Sequence, residues 1–424
     1  MSGAARVERT YLALVLLTTL SASLIWGINT LFLLDAGLNN FEAFAANAFF
    51  TAGMVLFEVP TGVVADLRGR RVSFLLGALT LAVATLLYLL LWWTAAPFWL
   101  WAVVSVLLGL GFTFFSGATE AWLVDALNHT GFAGQLDSVF GRAQAVGGAA
   151  MLAGSVAGGF IAQASSLAVP FMLRALLLGV TFVVAFARMR DLGFTPERGK
   201  RPGPEMRRIA SASLRFGLGA PAVRWIMLTS PFVGGVSIYA FYAMQPYLLE
   251  LYGDPKAYGI AGLAAAIVAG AQIAGGLLAT WVRSMFHRRT SVLLLSTCIG
   301  VVALALVSVI ASLVAVIGLL VLWGLAFAAS MPVRQAYLNA LIPSQERATV
   351  LSFDSLLGSA GGVVVQPVLG RAADVWGYQV TFALSAVLQA CAVPFIRLAQ
   401  AEKVEADLAP TAPAGPEGTM KDTS

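Results

Sequence analysis

Five ionisable side chains stand deep inside apolar stretches of the sequence: Glu58, Glu120, Arg142, Arg334 and Asp354. If those stretches cross a membrane, each such group costs about 2.5–3.5 kcal/mol at a helix centre on insertion scales, so each should have a partner or a task. Acids and bases in that setting can do two things. They can lock helices together as ion pairs, or an acid can take up and release a proton when its partner leaves it. Glu58, in "FEVPTG" beside the helix-loosening Pro60, fits a hydrogen bond to a neighbouring helix as well as it fits proton transfer. The pattern offers little other chemistry. The histidines are His129 and His287, and there is no HExxH, phosphate-binding loop or nucleophile elbow, so no enzyme activity, metal or cofactor is expected.

The elements that must position these groups are membrane helices. Of the 424 residues, 59% are hydrophobic and 11% charged, against about 25% charged in globular domains. A bilayer span takes about 20 apolar residues. Runs of that length predict twelve helices, at 11–34, 42–65, 72–93, 98–124, 139–163, 169–187, 223–248, 258–282, 291–309, 313–338, 348–370 and 378–397. The start, "MSGAARVERTYLALVLLTTLSASLIWG", has the basic head of a secretory signal, but its apolar run continues through Leu34 and reads as the first span. Even numbering puts both termini on one side. All Lys and Arg except Arg174, Lys256 and Arg371 fall on that side, so the chain is expected in the cell membrane with both termini cytoplasmic. The same bias accounts for the net charge of +5 without a nucleic-acid partner. Cys298 and Cys391 lie in apolar runs without CxxC spacing and read as small apolar residues.

A stretch rich in Arg, Gly and Pro divides the spans six and six. The expected organisation is an N-terminal bundle (1–187), a linker (188–222), a C-terminal bundle (223–399) and a disordered tail (400–424). The halves are weakly alike: "SGATEAWLVDAL" (116–127) matches "SMPVRQAYLNAL" (330–341) at a shift of 214, and a shift near 212 pairs Gly158 with Gly370. This repeat aligns Glu120 with Arg334 and Arg142 with Asp354. Each half then carries one acid and one base on opposite members of a helix pair, the arrangement an interlocking network between halves requires.

In "GVVADLRGRR" (62–71), Gly62 and Gly69 suit a tight turn, and Arg68, Arg70 and Arg71 follow the basic bias. Asp66 works against that bias and calls for a partner, an arginine or a helix N-terminus. The stretch resembles the signature G-x-x-x-D-x-x-G-[RK]-[RK] of the major facilitator superfamily, matching at Gly62, Asp66, Gly69, Arg70 and Arg71, with Leu67 where a basic residue is common. With the twelve spans and the basic central loop, the resemblance covers about residues 8 to 400. It implies an all-α membrane fold of two pseudo-symmetric six-helix bundles and a cytoplasmic gate. In that gate Asp66 faces the helix starting near Ala348, and Arg70 pairs with Asp125. The second-half counterpart, "TWVRSMFHRR" (280–289), has Ser284 in place of the acid, so the gate is expected to be asymmetric.

Candidate substrate contacts are Trp26, Asn29 and Thr30 on one face of the first span, Tyr239, Tyr242 and Gln245 on the seventh, Gln272 on the eighth and Trp323 on the tenth. Such a pocket, with few fixed charges, suits bulky amphipathic or neutral ligands. Asp35 and Glu42 read as solvated acids at the outer mouth. "GRAQAVGGAAMLAGSVAGG" (141–159) resembles the antiporter signature of the superfamily at Gly141, Gly154, Gly158 and Gly159, but departs from it at Ala150 and Ser155. Ser105 stands where many proton antiporters carry an arginine, although "SGATEAWLVDAL" resembles bacterial drug-efflux members. The function expected is secondary active transport, proton-coupled efflux of amphipathic or hydrophobic small molecules, by a monomer in the bilayer. Uptake or facilitated diffusion of a small solute is the alternative, and a non-transporting receptor or scaffold the third.

Overall fold

A computed structural model of the chain describes residues 3–195, 203, 211, 213–344 and 346–408. Among the described residues, eleven helices are long and apolar enough to cross a membrane. In order they are Gly3–Trp26, Asn40–Arg68, Arg70–Trp93, Phe98–His129, Leu136–Ala164, Ala168–Arg188, Pro221–Tyr252, Tyr258–Ser284, Arg289–Val309, Leu313–Leu341 and Thr349–Ala401. The last holds 53 residues, about 80 Å at 1.5 Å per residue, more than twice a hydrocarbon core of about 30 Å. Gly377, at φ 78° and ψ 170°, breaks it into an eleventh and a twelfth span.

Several helices overrun their apolar runs on the face that carries the termini, called here the terminal face. The second continues to Arg68, the fourth to His129 and the tenth to Leu341. Apolarity ends where the hydrocarbon ends, whereas the backbone hydrogen-bond ladder continues until a turn stops it. The outer surface is apolar: Leu176, Leu277 and Val314 are 65%, 78% and 80% exposed, the inverse of a soluble protein. Exposed Trp93, Trp99 and Trp376 ring the opposite face, where indoles favour the water–lipid boundary. Cys298 and Cys391 are free and exposed.

Packing separates into four clusters. The two near the terminal face each draw on one half alone, around Trp122 in the first and Tyr337 in the second. The two toward the opposite face mix halves. Phe44 packs among second-half residues, 4.8 Å from the ring of Tyr239, while Leu249 and Ala261 join the first-half cluster around Trp101. Among the described residues, the clusters that join the bundles therefore lie toward one end.

Residues 400–408, which the sequence places in a disordered tail, are folded. The last helix runs to Ala401, and Glu405–Asp407 forms a turn held by Asp407, which is 2% exposed. Residues 409–424 lie outside the described set.

Candidate functional site

The closed end is built from backbone groups that one half leaves open and the other fills. The first span breaks at Gly27–Ile28 and resumes as Asn29–Asp35. The break frees the Trp26 carbonyl and the Thr30 N–H, which would otherwise be hydrogen-bond partners four residues apart. Gln245 of the seventh span fills the gap, its Nε2 donating to Trp26 O at 2.7 Å and its Oε1 accepting from Thr30 N at 2.9 Å. Beside it, Asn39 and Glu42 form a capping box on the second span. Asp374 of the eleventh span accepts from the N–H groups of Asn40 and Phe41, both at 2.9 Å, and Tyr378 donates to Asn40 Oδ1. A carboxylate at a helix N-terminus also meets the positive end of the dipole. Gly259 N donates to Gln163 Oε1 at 2.9 Å, linking the eighth span to the fifth. Among the described residues, every hydrogen bond between the halves lies toward this opposite face.

Close glycine crossings make the approach possible. A Cβ on Gly158 would lie 1.8 Å from Leu24 O, and one on Gly159 would lie 2.9 Å from the Cα of Gly262. A Cβ on Gly370, the repeat partner of Gly158, would lie 2.8 Å from Asn40 O of the other half, whereas Gly158 packs against the first span of its own half. The antiporter-like glycines at 154, 158 and 159 are thus helix-packing positions, while Gly141 has open space around it.

Below the closed end lies a cavity of about 420 Å³ between the halves. Trp26, Asn29, Tyr242 and Gln272 line it, as the sequence suggested, joined by Asn47, Tyr88 and Arg174. Gln272 and Met151 also line a larger space of about 1010 Å³ that runs between the fifth and eighth spans past Glu120 toward the terminal face. Four expected contacts are elsewhere. Thr30 is fully buried, its N–H on Gln245. Tyr239 is fully buried with its hydroxyl on Thr381 Oγ1 at 2.7 Å, Trp323 donates to Gln389 inside the second half, and Gln245 is spent on the first-span break. Tyr239 and Tyr242 lie three residues apart, yet the packing at Phe44 turns Tyr239 into the core.

Arg174, counted in the Lys/Arg tally on the side opposite the termini although it falls within the expected span 169–187, is an intramembrane residue. It lies within Ala168–Arg188 and is 7% exposed. Its Nε donates to Thr85 Oγ1 at 3.2 Å, and it is the one charged residue among those lining the central cavity. A single arginine in a helix of mean hydropathy 2.2 is hidden in any window average.

The intramembrane charges pair within halves rather than across them. Arg334 forms a bidentate pair with Asp354, NH2 reaching Oδ1 at 2.7 Å and NH1 reaching Oδ2. Ser230 Oγ donates to Asp354 Oδ1 at 2.7 Å and accepts from Arg334 at 2.6 Å, so the pair is hydrogen-bonded on several sides. Arg142 takes Glu8 at 2.6 Å, a partner absent from the repeat-based reading. Glu120 is exposed to the larger cavity, and Glu58 accepts from Ser116 Oγ at 2.8 Å. That serine stands in the break of the fourth span, next to Gly117 at φ +67°. Among the described residues no ion pair joins these groups across the two halves in this conformation.

The "GVVADLRGRR" turn also differs from expectation. Arg70 pairs with Asp66 at 2.6 Å across the Gly69 turn, and among the described residues no ion pair joins it to Asp125. Gly62 is exposed, and a Cβ there would meet nothing within 4 Å. The start of the eleventh helix, the expected partner of Asp66, includes residue 345 and a side chain at 348 outside the described set. Asp191, just after the sixth span, is the residue the sequence did not reveal. Its Oδ1 accepts from Arg71 N at 2.9 Å, and its Oδ2 occupies the space a Cβ on Gly69 would need. Burial pushes the Asp191 carboxyl above the usual carboxylate range, opposed by the Arg71 hydrogen bond and the charges of Arg71 and Arg70. Asp407 repeats this after the twelfth span, accepting from Thr290 N and Oγ1, both at 2.8 Å. Each half thus staples the N-terminus of its third span with an aspartate that follows its sixth.

Among the described residues no group of three or more His, Cys, Asp or Glu is placed to hold a metal. The architecture is shared with solved membrane transporters. The nucleoside transporter NupG superimposes with a TM-score of 0.76 at 12% identity, covering 94% of this chain and 99% of its own. A bacterial homologue of the human lysosomal transporter Spinster, in an inward-facing and unoccupied conformation, gives 0.72 at 15% identity, with 96% and 99% covered. A POT peptide transporter gives 0.71 at 12% identity, with 93% and 94% covered. No curated protein matches in sequence. The sequence matches the Major Facilitator Superfamily over residues 11–364 and 256–418, and the chain therefore belongs to that family, as a membrane transporter rather than an enzyme.

Proposed function

We propose that the protein is a secondary active transporter working by alternating access, with the terminal face in the cytoplasm and this conformation open inward. The observation that carries the reading is the one-sided closure: among the described residues the hydrogen bonds between the halves lie at the opposite face and not at the terminal face, with a cavity between the halves below them. Rocking about that cavity would expose it to the other side. The basic residues of the terminal face support a cytoplasmic orientation in the cell membrane. Both halves reside in one chain, which suits a monomer.

Proton-coupled efflux of amphipathic or hydrophobic molecules is the first reading. The aromatic and largely apolar cavity wall supports the substrate class, and the buried Arg334–Asp354–Ser230 group supports coupling. A carboxylate whose arginine swings away inside the membrane must find another cation or a proton. Glu120, at the cavity mouth, is the second candidate. The cytoplasmic gate at Gly62, Asp66, Gly69, Arg70, Arg71 and Asp125 remains part of the proposal, with its pairs exchanging between states. Uptake or facilitated diffusion of a small solute is the second reading, kept by the nucleoside and peptide transporters among the structural neighbours. Reconstitution in liposomes with an imposed pH gradient separates them. Gradient-dependent movement of amphipathic dyes supports antiport, and dye or nucleoside flux indifferent to the gradient sinks it.

A further inference from the structure

Arg174 has an environment that asks for an anion. It sits inside the sixth span at 7% exposure, with one hydroxyl partner at Nε, and the groups that interact with it electrostatically are the tyrosines 88 and 242 rather than any carboxylate. The guanidinium carries five N–H donors and no acceptor. Nearby, Asn29 Nδ2 donates to Asn47 Oδ1 at 2.8 Å, leaving the Nδ2 of Asn47, a residue 4% exposed, without a partner. The same cavity is walled by Trp26, Phe50, Phe112 and Phe241. The cavity thus offers donors on Arg174 and Asn47 in a wall that is otherwise mostly apolar and aromatic.

We infer that the cavity binds organic anions: amphipathic molecules with a carboxylate or sulfonate seated on Arg174 and an apolar, preferably aromatic, body among the rings. This rests on the transporter reading and narrows its substrate class from neutral or unspecified amphiphiles to monoanions. The charge also has a consequence for transport. While the cavity is open, water can reach the part of Arg174 that lines it. When the halves close around it, an unpaired cation loses that water, so occlusion is costly when empty and favourable when a ligand brings the counter-charge. A carrier built this way moves with cargo and resists moving without it.

The test compares three probes of similar shape on the purified full-length protein, by thermal-shift dose series in dilute phosphate buffer free of chloride and carboxylates: 2-naphthoate, neutral 2-naphthamide and a naphthyl-trimethylammonium cation. Naphthoate should bind at least about tenfold more tightly than naphthamide, in line with a charge-assisted hydrogen bond, and the cation least. Arg174→Gln should erase the anion preference, and Arg174→Lys should keep part of it. Equal affinity for naphthoate and naphthamide, a preference that survives Arg174→Gln, or chloride alone producing the full shift with no addition from naphthoate would each overturn the inference. Should Arg174→Gln not fold, the ranking of the three probes on the unaltered protein still decides. Because binding is read without flux, a wrong ranking leaves alternating access standing, and a failure of alternating access leaves the ranking intact.

Discussion

Removing the carboxylate of Asp374 should shift the protein out of the conformation described. Asp374 accepts two backbone N–H groups of the second helix, at 2.9 Å each, across the line between the halves. Hydrogen bonds to charged groups are worth about 1.5–3 kcal/mol each when well shielded. Asp374 is exposed, so screening and competing water lower this toward the helix-terminus range of about 0.3–1 kcal/mol, with up to about 2 in favourable geometry. A total of about 1–2 kcal/mol for Asp374→Ala corresponds to roughly a 5- to 30-fold change in the ratio of open-inward to open-outward molecules. Spin labels at Thr94 and Ser312, exposed on the opposite face in different halves, report the separation by pulsed dipolar spectroscopy. The variant should gain a long-distance population at the expense of the short one, and less so at Asp374→Asn, which keeps an acceptor. If the distance distribution of Asp374→Ala matches that of the unaltered protein, the latch does not hold the closed face.

Two further outcomes follow from the charges. Arg334→Gln leaves Asp354, 6% exposed, without its cation and should cost about 3–5 kcal/mol of stability at neutral pH; adding Asp354→Asn should recover much of the loss, read as apparent melting temperature in detergent. A single variant as stable as the double one would show that the pair does not support the fold. Asp191 is held above its ordinary range by burial, so the folded state binds its proton more tightly than the unfolded one. Its charge therefore weakens folding once pH rises past the folded titration point, and stability from this group increases as pH falls through that point toward the ordinary carboxylate range. Asp191→Asn, whose amide oxygen can still accept from Arg71 N, should flatten that slope in a melting series over mildly acidic pH, and an unchanged slope would contradict it.

Much of the framework was legible because hydropathy and the Lys/Arg bias are set by the bilayer and need no knowledge of contacts. Gly377 shows the limit: the break that separates the last two spans is a backbone conformation, and a glycine alone does not announce it. The acids and bases within the apolar runs were equally visible, yet their partners were not. Glu8, which pairs with Arg142, lies ahead of the first apolar run, and Arg334 finds Asp354 within its own half through Ser230, a residue ordinary in sequence. A repeat alignment relates equivalent positions; it does not say which rotated helix faces bring side chains together. Amides and aromatics share that ambiguity. Trp26 and Asn29 reach the cavity, whereas Gln245 serves a helix break that sequence periodicity assumed to be continuous. Asp191 and Asp407 act from segments outside the spans, where no periodicity constrains them.

The exposure of one cavity to one side at a time is tested most directly by chemical accessibility. With Cys298 and Cys391 replaced by serine, a cysteine at Gln272, which lines both the central and the larger cavity, is challenged with a membrane-impermeant thiol reagent in oriented proteoliposomes. Alternating access predicts rapid reaction from the terminal face and slow reaction from the opposite face, with Asp374→Ala raising the opposite-face rate and lowering the terminal-face rate together. Fast reaction from both faces at once, or rates that do not move in opposite directions, would contradict it.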